Sequence, residues 1–162
     1  MEQQEDFYIE QIQNITSTVG VTADALHSVE EALLALPSSC RLWCLRGDLI
    51  QMQEDESQYQ LADAMTSYKR AAEIDPACAE AQESMGYFYD VFEDDFEKAE
   101  RALRLAIQNG AGANSYIGLA RVLSQVGRKE EALDLLSSCQ HRDEEKVNEI
   151  RSEIEDGIWR QT

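Results

Sequence analysis

The stretch Ala64-Met-Thr-Ser-Tyr68-Lys-Arg-Ala71-Ala-Glu-Ile-Asp-Pro76 decides the fold. A small residue is followed four positions on by a large apolar one, three further by a second small one, and then by proline. Offsets of four and three lie on one helical face. The proline lacks an amide hydrogen and ends the helix. The same spacing recurs as Ala25, Val29, Ala32 and Pro37, and without the proline as Ala99, Leu103, Ala106 and as Ala132, Leu136, Cys139. Four copies point to a helical unit used in series rather than to a catalytic centre.

A second helix precedes each copy. The clearest is Gln82, Met85, Gly86, Tyr89; its counterparts are Trp43, Gly47, Ile50 and Tyr116, Leu119, Ala120, Leu123. The first copy offers only Ile9, Ile12 and Thr16. A small residue at Gly47, Gly86 and Ala120 lets two helices approach closely, where a larger side chain would part them. Helices are expected over 7–18, from a Thr22 cap to Leu36, from Cys40, over Tyr59–Ile74, Ala79–Val91, Phe96–Gln108, Ser115–Gln125 and Lys129–Cys139. A last helix over Glu144–Trp159 places Val147, Ile150, Ile154 and Ile158 in one apolar stripe, with Trp159 at its edge. No segment alternates as a strand does.

The Gln82–Tyr89 pattern, in register with the Ala spacing, resembles the tetratricopeptide repeat. The resemblance covers residues 6–142 as repeats 6–39, 40–78, 79–112 and 113–142, with 143–160 as a capping helix. It implies one all-α domain over 1–162, a right-handed superhelix of stacked helical hairpins. Gly86 and Ala120 are 34 residues apart, but Ala25 and Ala64 are 39 apart. Gly47 to Ala64 spans 17 residues where the family pattern has about 12. The extra residues lie beside Glu54, Asp55 and Glu56, an acidic insertion. The third repeat has one extra residue before Ala99 and a short junction at Gly110–Gly112.

The resemblance implies a concave surface lined by the first helix of each pair. Its candidate peptide-binding residues are Arg41, Asp48, Met52, Glu80, Glu83, Tyr87, Asp90 and Arg121, with Cys44, Asn14, Gln51, Asn114 and Ser124 among their neighbours. Glu83 and Tyr87 stand where a clamp for a chaperone's C-terminal carboxylate would need a base and an amide, so that function is disfavoured. An acidic groove with an aromatic suits Lys and Arg side chains of a peptide or protein.

Composition agrees with that reading. The chain has 162 residues, 32 acidic and 14 basic, for a formal charge of -18. Such a field repels phosphate backbones and favours encounter with a basic protein. Colloidal solubility alone also explains it. No apolar run is long enough to span a membrane, and the acidic start MEQQEDFYIEQIQ does not read as a secretory signal. The expected location is the cytoplasm, with the nucleus as the alternative. Cys40, Cys44, Cys78 and Cys139 are expected to be reduced, small, buried helix residues, without metal or cofactor. Nothing marks a catalytic acid, base or phosphate loop, so an enzyme is not expected. The expected function is a scaffold or adaptor binding a protein or peptide. The alternatives are an assembly chaperone for a basic client, or a structural subunit docking through its convex face or terminal helix.

Overall fold

The computed structural model describes residues 2–53 and 59–159. Among these residues every regular element is an α-helix. They are α1 (Glu2–Val19), α2 (Ala23–Ala35), α3 (Cys40–Met52), α4 (Leu61–Ile74), α5 (Ala79–Phe92), α6 (Phe96–Gln108), α7 (Ala113–Gln125), α8 (Lys129–Ser138) and α9 (Glu145–Glu155). The chain forms two compact bodies, divided between Ala81 and Gln82. The acidic insertion Glu54–Asp55–Glu56 lies outside the described residues.

In the N-terminal body, α1 packs on α2, α2 on α3 and α3 on α4. The two prolines end helices in the same way. The Leu36 amide donates to the Ala32 carbonyl and the Asp75 amide to that of Ala71, each one residue before proline. The turns then close alike, Ser39 N–H to Leu36 O at 3.1 Å and Cys78 N–H to Asp75 O at 3.0 Å. In the C-terminal body α6 packs on α7, α7 on α8, and α9 on both α7 and α8.

The recurring spacing is the core. Of its twelve residues besides the prolines, eleven have no exposed surface and Cys139 retains 5%. The close approaches are equally specific. A Cβ on Gly47 would run into the Tyr68 ring, and one on Gly86 would lie 2.5 Å from Leu103 Cγ. Thus in the second and third repeats the glycine of the first helix faces the large middle residue of the second. Tyr68 also carries a polar tip into the interior: its hydroxyl donates to Asp48 at 2.7 Å and accepts from Gln51. Burial, with the Asp48 charge beside it, pushes this phenol above its ordinary range.

Two local expectations are corrected. Thr22 stands at the α2 N-cap with extended backbone, yet its hydroxyl makes no cap hydrogen bond. Working caps are found at Ser39, whose hydroxyl accepts the Leu42 amide at 3.0 Å, at Asp95, whose carboxylate accepts the Lys98 amide at 3.0 Å, and at α4, where Asp63 accepts the Gln60 amide at 2.8 Å. The final helix stops at Glu155 rather than Trp159, because Gly157 turns the chain at φ 78°. The apolar stripe therefore breaks. Val147, Ile150 and Ile154 are buried, but Ile158 is 63% exposed and Trp159 packs on the core in its place.

Candidate peptide-binding site

The expected lining residues fall in both bodies. In the N-terminal body, Arg41 projects from the first turn of α3 and is taken by two acids of α1, Asp6 at 2.6 Å and Glu5 at 3.2 Å. Its side chain keeps 43% exposure. Two turns later, Asp48 accepts the Tyr68 hydroxyl. Met52, the last residue of α3, is 64% exposed. Glu80 is exposed in the first turn of α5. Cys44, expected beside them, is instead fully buried, because it packs against Ala71, Cys78 and Ala81.

In the C-terminal body, four hydrogen bonds tie three residues of α5 to α7. The Ser115 hydroxyl donates to Glu83 at 2.5 Å. The Tyr87 hydroxyl donates to the Asn114 carbonyl at 2.6 Å. Asp90, only 5% exposed, receives Arg121 Nη2 at 2.6 Å on one oxygen and Gln125 Nε2 at 2.9 Å on the other. Gly118 allows this approach: a Cβ there would lie 3.0 Å from Tyr87 Cζ. Glu83 and Tyr87 remain half-buried on the surface, whereas Ser124 is buried and lines nothing.

The charges within this site are ordered. Arg121 lies between two aromatic rings, its guanidinium carbon 5.4 Å from the centre of Tyr87 and 4.9 Å from that of Trp159. Aromatic faces attract a cation, so Asp90, Tyr87 and Trp159 together hold one internal arginine. Burial pushes the Tyr87 phenol up to about 12, with the Arg121 charge pulling the other way. The outer carboxylate, Glu83, has one hydroxyl donor from α7 and faces solvent in part. Asp90 thus serves the interior while Glu83 and Glu80 present charge outwards.

Of the eight expected lining residues, Glu83, Tyr87, Asp90 and Arg121 lie on α5 and α7 of the C-terminal body, and Arg41, Asp48, Met52 and Glu80 lie in the N-terminal body. Sequence reasoning missed Ser115, Gln125 and Trp159 as partners of the first four. Ser115 carried a signal, since it lies 32 residues from Glu83, close to one repeat. Trp159 carried none, because its position depends on the turn at Gly157. Among the described residues, no group of three or more His, Cys, Asp or Glu side chains is arranged to hold a metal ion, and no helix is long and apolar enough to cross a membrane.

No protein-family model matches the chain, and no curated protein matches it by sequence. Solved structures do match its fold. A thermophilic TPR protein of Thermus thermophilus aligns with a TM-score of 0.68 at 19% identity, over 88% of this chain and 76% of that one. YrrB, described as a TPR protein with an unusual peptide-binding site, aligns at 0.63 and 18% identity, over 86% and 69%. MamA aligns at 0.63 and 20% identity, over 98% and 90%. The chain has the fold of tetratricopeptide-like helical repeats.

Proposed function

We propose that the chain is a binding module that takes an extended Lys- or Arg-bearing segment of a partner protein along α5 and its neighbour α7. The observation that carries this reading is the division of labour among the acids of α5. Asp90 has both oxygens occupied by Arg121 and Gln125, whereas Glu83 is held in place by Ser115 and still faces solvent, one turn after the exposed Glu80. Fixed, part-exposed carboxylates beside a half-exposed Tyr87 suit charge-assisted hydrogen bonds and cation–π contact with a basic side chain. The formal charge of -18 would draw such a segment in. The structural likeness to YrrB, described as having a peptide-binding site, supports the same class of function.

The test is an array of extended peptides with Lys or Arg at alternate positions, probed with the intact chain at about 0.05 M and about 0.5 M salt. Binding should weaken at high salt, and Glu80→Arg combined with Glu83→Arg should reduce it at least about tenfold, a change of roughly 1.4 kcal/mol, with the helical signal unchanged. Retention of every salt-sensitive peptide by the doubly reversed variant would overturn the proposal. A second reading, a structural subunit docking through its terminal segment, draws on the exposed Ile158. It is favoured instead if Ile158→Asp abolishes partner capture while the double reversal leaves it intact.

A further inference from the structure

The N-terminal body contains a group of side chains that peptide binding leaves unused. Cys40 and Cys44 stand one turn apart on α3, and Cys78 lies in the link between α4 and α5. All three are free thiols. Cys44 and Cys78 share one buried cluster with Ala71 and Ala81, and Cys40 packs at its edge, half-buried. The Cys44 and Cys40 thiols each hydrogen-bond with that of Cys78, and the Ala81 amide donates to the Cys78 sulfur. Hydrogen bonds gathered on one sulfur favour a thiolate there. A structural cysteine buried among alanines needs no such arrangement, and Cys139 shows the contrast: its thiol donates to the Leu136 carbonyl of its own helix.

We propose that these cysteines form an oxidation site, at which a hydroperoxide links Cys78 to Cys40 in a disulfide. The Cys78 thiolate attacks one oxygen of the hydroperoxide. An S–O bond forms, the O–O bond breaks, and the departing oxygen leaves as an alcohol or water after taking a proton. Cys78 is then a sulfenic acid. The Cys40 sulfur, its proton lost to solvent, attacks the Cys78 sulfur; the S–S bond forms, the S–O bond breaks, and water leaves. The two thiols give up two electrons and two protons, and the hydroperoxide receives them. Cys40 is the resolving residue because it reaches the surface, whereas Cys44 has no exposed surface through which to lose its proton. Cys44 acts as a positioning donor.

The thiol ranges agree with these roles. Hydrogen bonds from Cys44 first, and then from Cys40, bring Cys78 down to about 6 against the effect of burial. Burial, together with its bond to Cys78, pushes Cys40 up to about 12. Cys78 is therefore the first nucleophile. Once it becomes a neutral sulfenic acid, the charge that held the Cys40 proton is gone.

The sequence makes the test direct. Trypsin cuts after Arg41, Arg46, Arg70 and Lys98, so the three cysteines fall in separate peptides, 1–41, 42–46 and 71–98. The reduced intact chain is treated with hydrogen peroxide at neutral pH, alkylated and digested without reductant. The expected product is 1–41 joined to 71–98, lost on reduction, with 42–46 fully alkylated. The rate of the first step, followed as peroxide consumption, should rise through about pH 6 and then level. Cys44→Ala should yield the same link more slowly. A link between 42–46 and 71–98, a product made only through Cys139, or equal alkylation of all four cysteines after peroxide would overturn the proposal.

Discussion

Gly86 is the residue on which two opposing magnitudes can be weighed. Alanine is the better helix former by about 1 kcal/mol, so a helix considered alone would gain from Gly86→Ala. Here the new Cβ would lie 2.5 Å from Leu103 Cγ, and Leu103 has no exposed surface to retreat towards. Overpacking of this kind costs about 1–3 kcal/mol, so Gly86→Ala should lower the urea midpoint. Leu103→Ala should lower it further, by the about 2–5 kcal/mol of a buried leucine truncation. In the Leu103→Ala background the glycine substitution should become neutral or stabilising, because its methyl enters the vacated space. Additive losses in that double-mutant cycle would refute the contact. The small positions were legible in the sequence because their role is steric and repeats with the helix period. The pairing of Asp90 with Arg121 across 31 residues was not, because the spacing alone does not say which acid of α5 takes the arginine.

At the scale of elements, α9 separates what periodicity can and cannot say. Its first three apolar residues were read as a buried face and are one. The fourth was read in the same phase, but the helix had already ended at Glu155. Ile154→Ala should therefore cost about 2–5 kcal/mol, whereas Ile158→Ala should stay within about 0.5 kcal/mol; equal effects in thermal melts would restore the uninterrupted stripe. The pairing of α6 with α8 gives a pH effect. Arg128 first, and then Arg104, holds the Glu131 carboxyl below its usual range. A carboxyl lowered in the folded state adds stability that is full above its ordinary value of 4.5 and is lost as pH falls through the folded value. Glu131→Gln should thus flatten the acid limb of a stability-against-pH curve below about pH 4.5, and added salt should shrink the difference. An acid limb as steep as that of the parent chain would count against the pairing.

Across the whole molecule the dominant quantity is charge. Thirty-two acids against 14 bases leave 18 negative charges that no side chain of opposite sign can answer. Self-repulsion of this size opposes the compact state, while the surface ion pairs that salt would also weaken contribute little each. The balance favours screening: the urea midpoint should rise between about 0.02 M and about 0.5 M sodium chloride. A fall would mean that the ion pairs of α1 with α3 and of α6 with α8 outweigh the excess. The fold was legible at this scale because it is written four times over. The site was legible only in part, because Cys78 and Trp159 reach their partners through turns whose geometry no repeat pattern encodes.

The two tryptophans divide between the two bodies. Trp43 donates its indole N–H to the Pro37 carbonyl at 3.0 Å, and Arg46 lies 5.8 Å from its ring. Trp159 donates to Glu153 at 2.9 Å and stacks on Arg121. Each body thus carries its own fluorophore beside a guanidinium. With Trp43→Phe and Trp159→Phe, each body's emission can be recorded alone, and the melting of one can be timed against the other without attaching any dye.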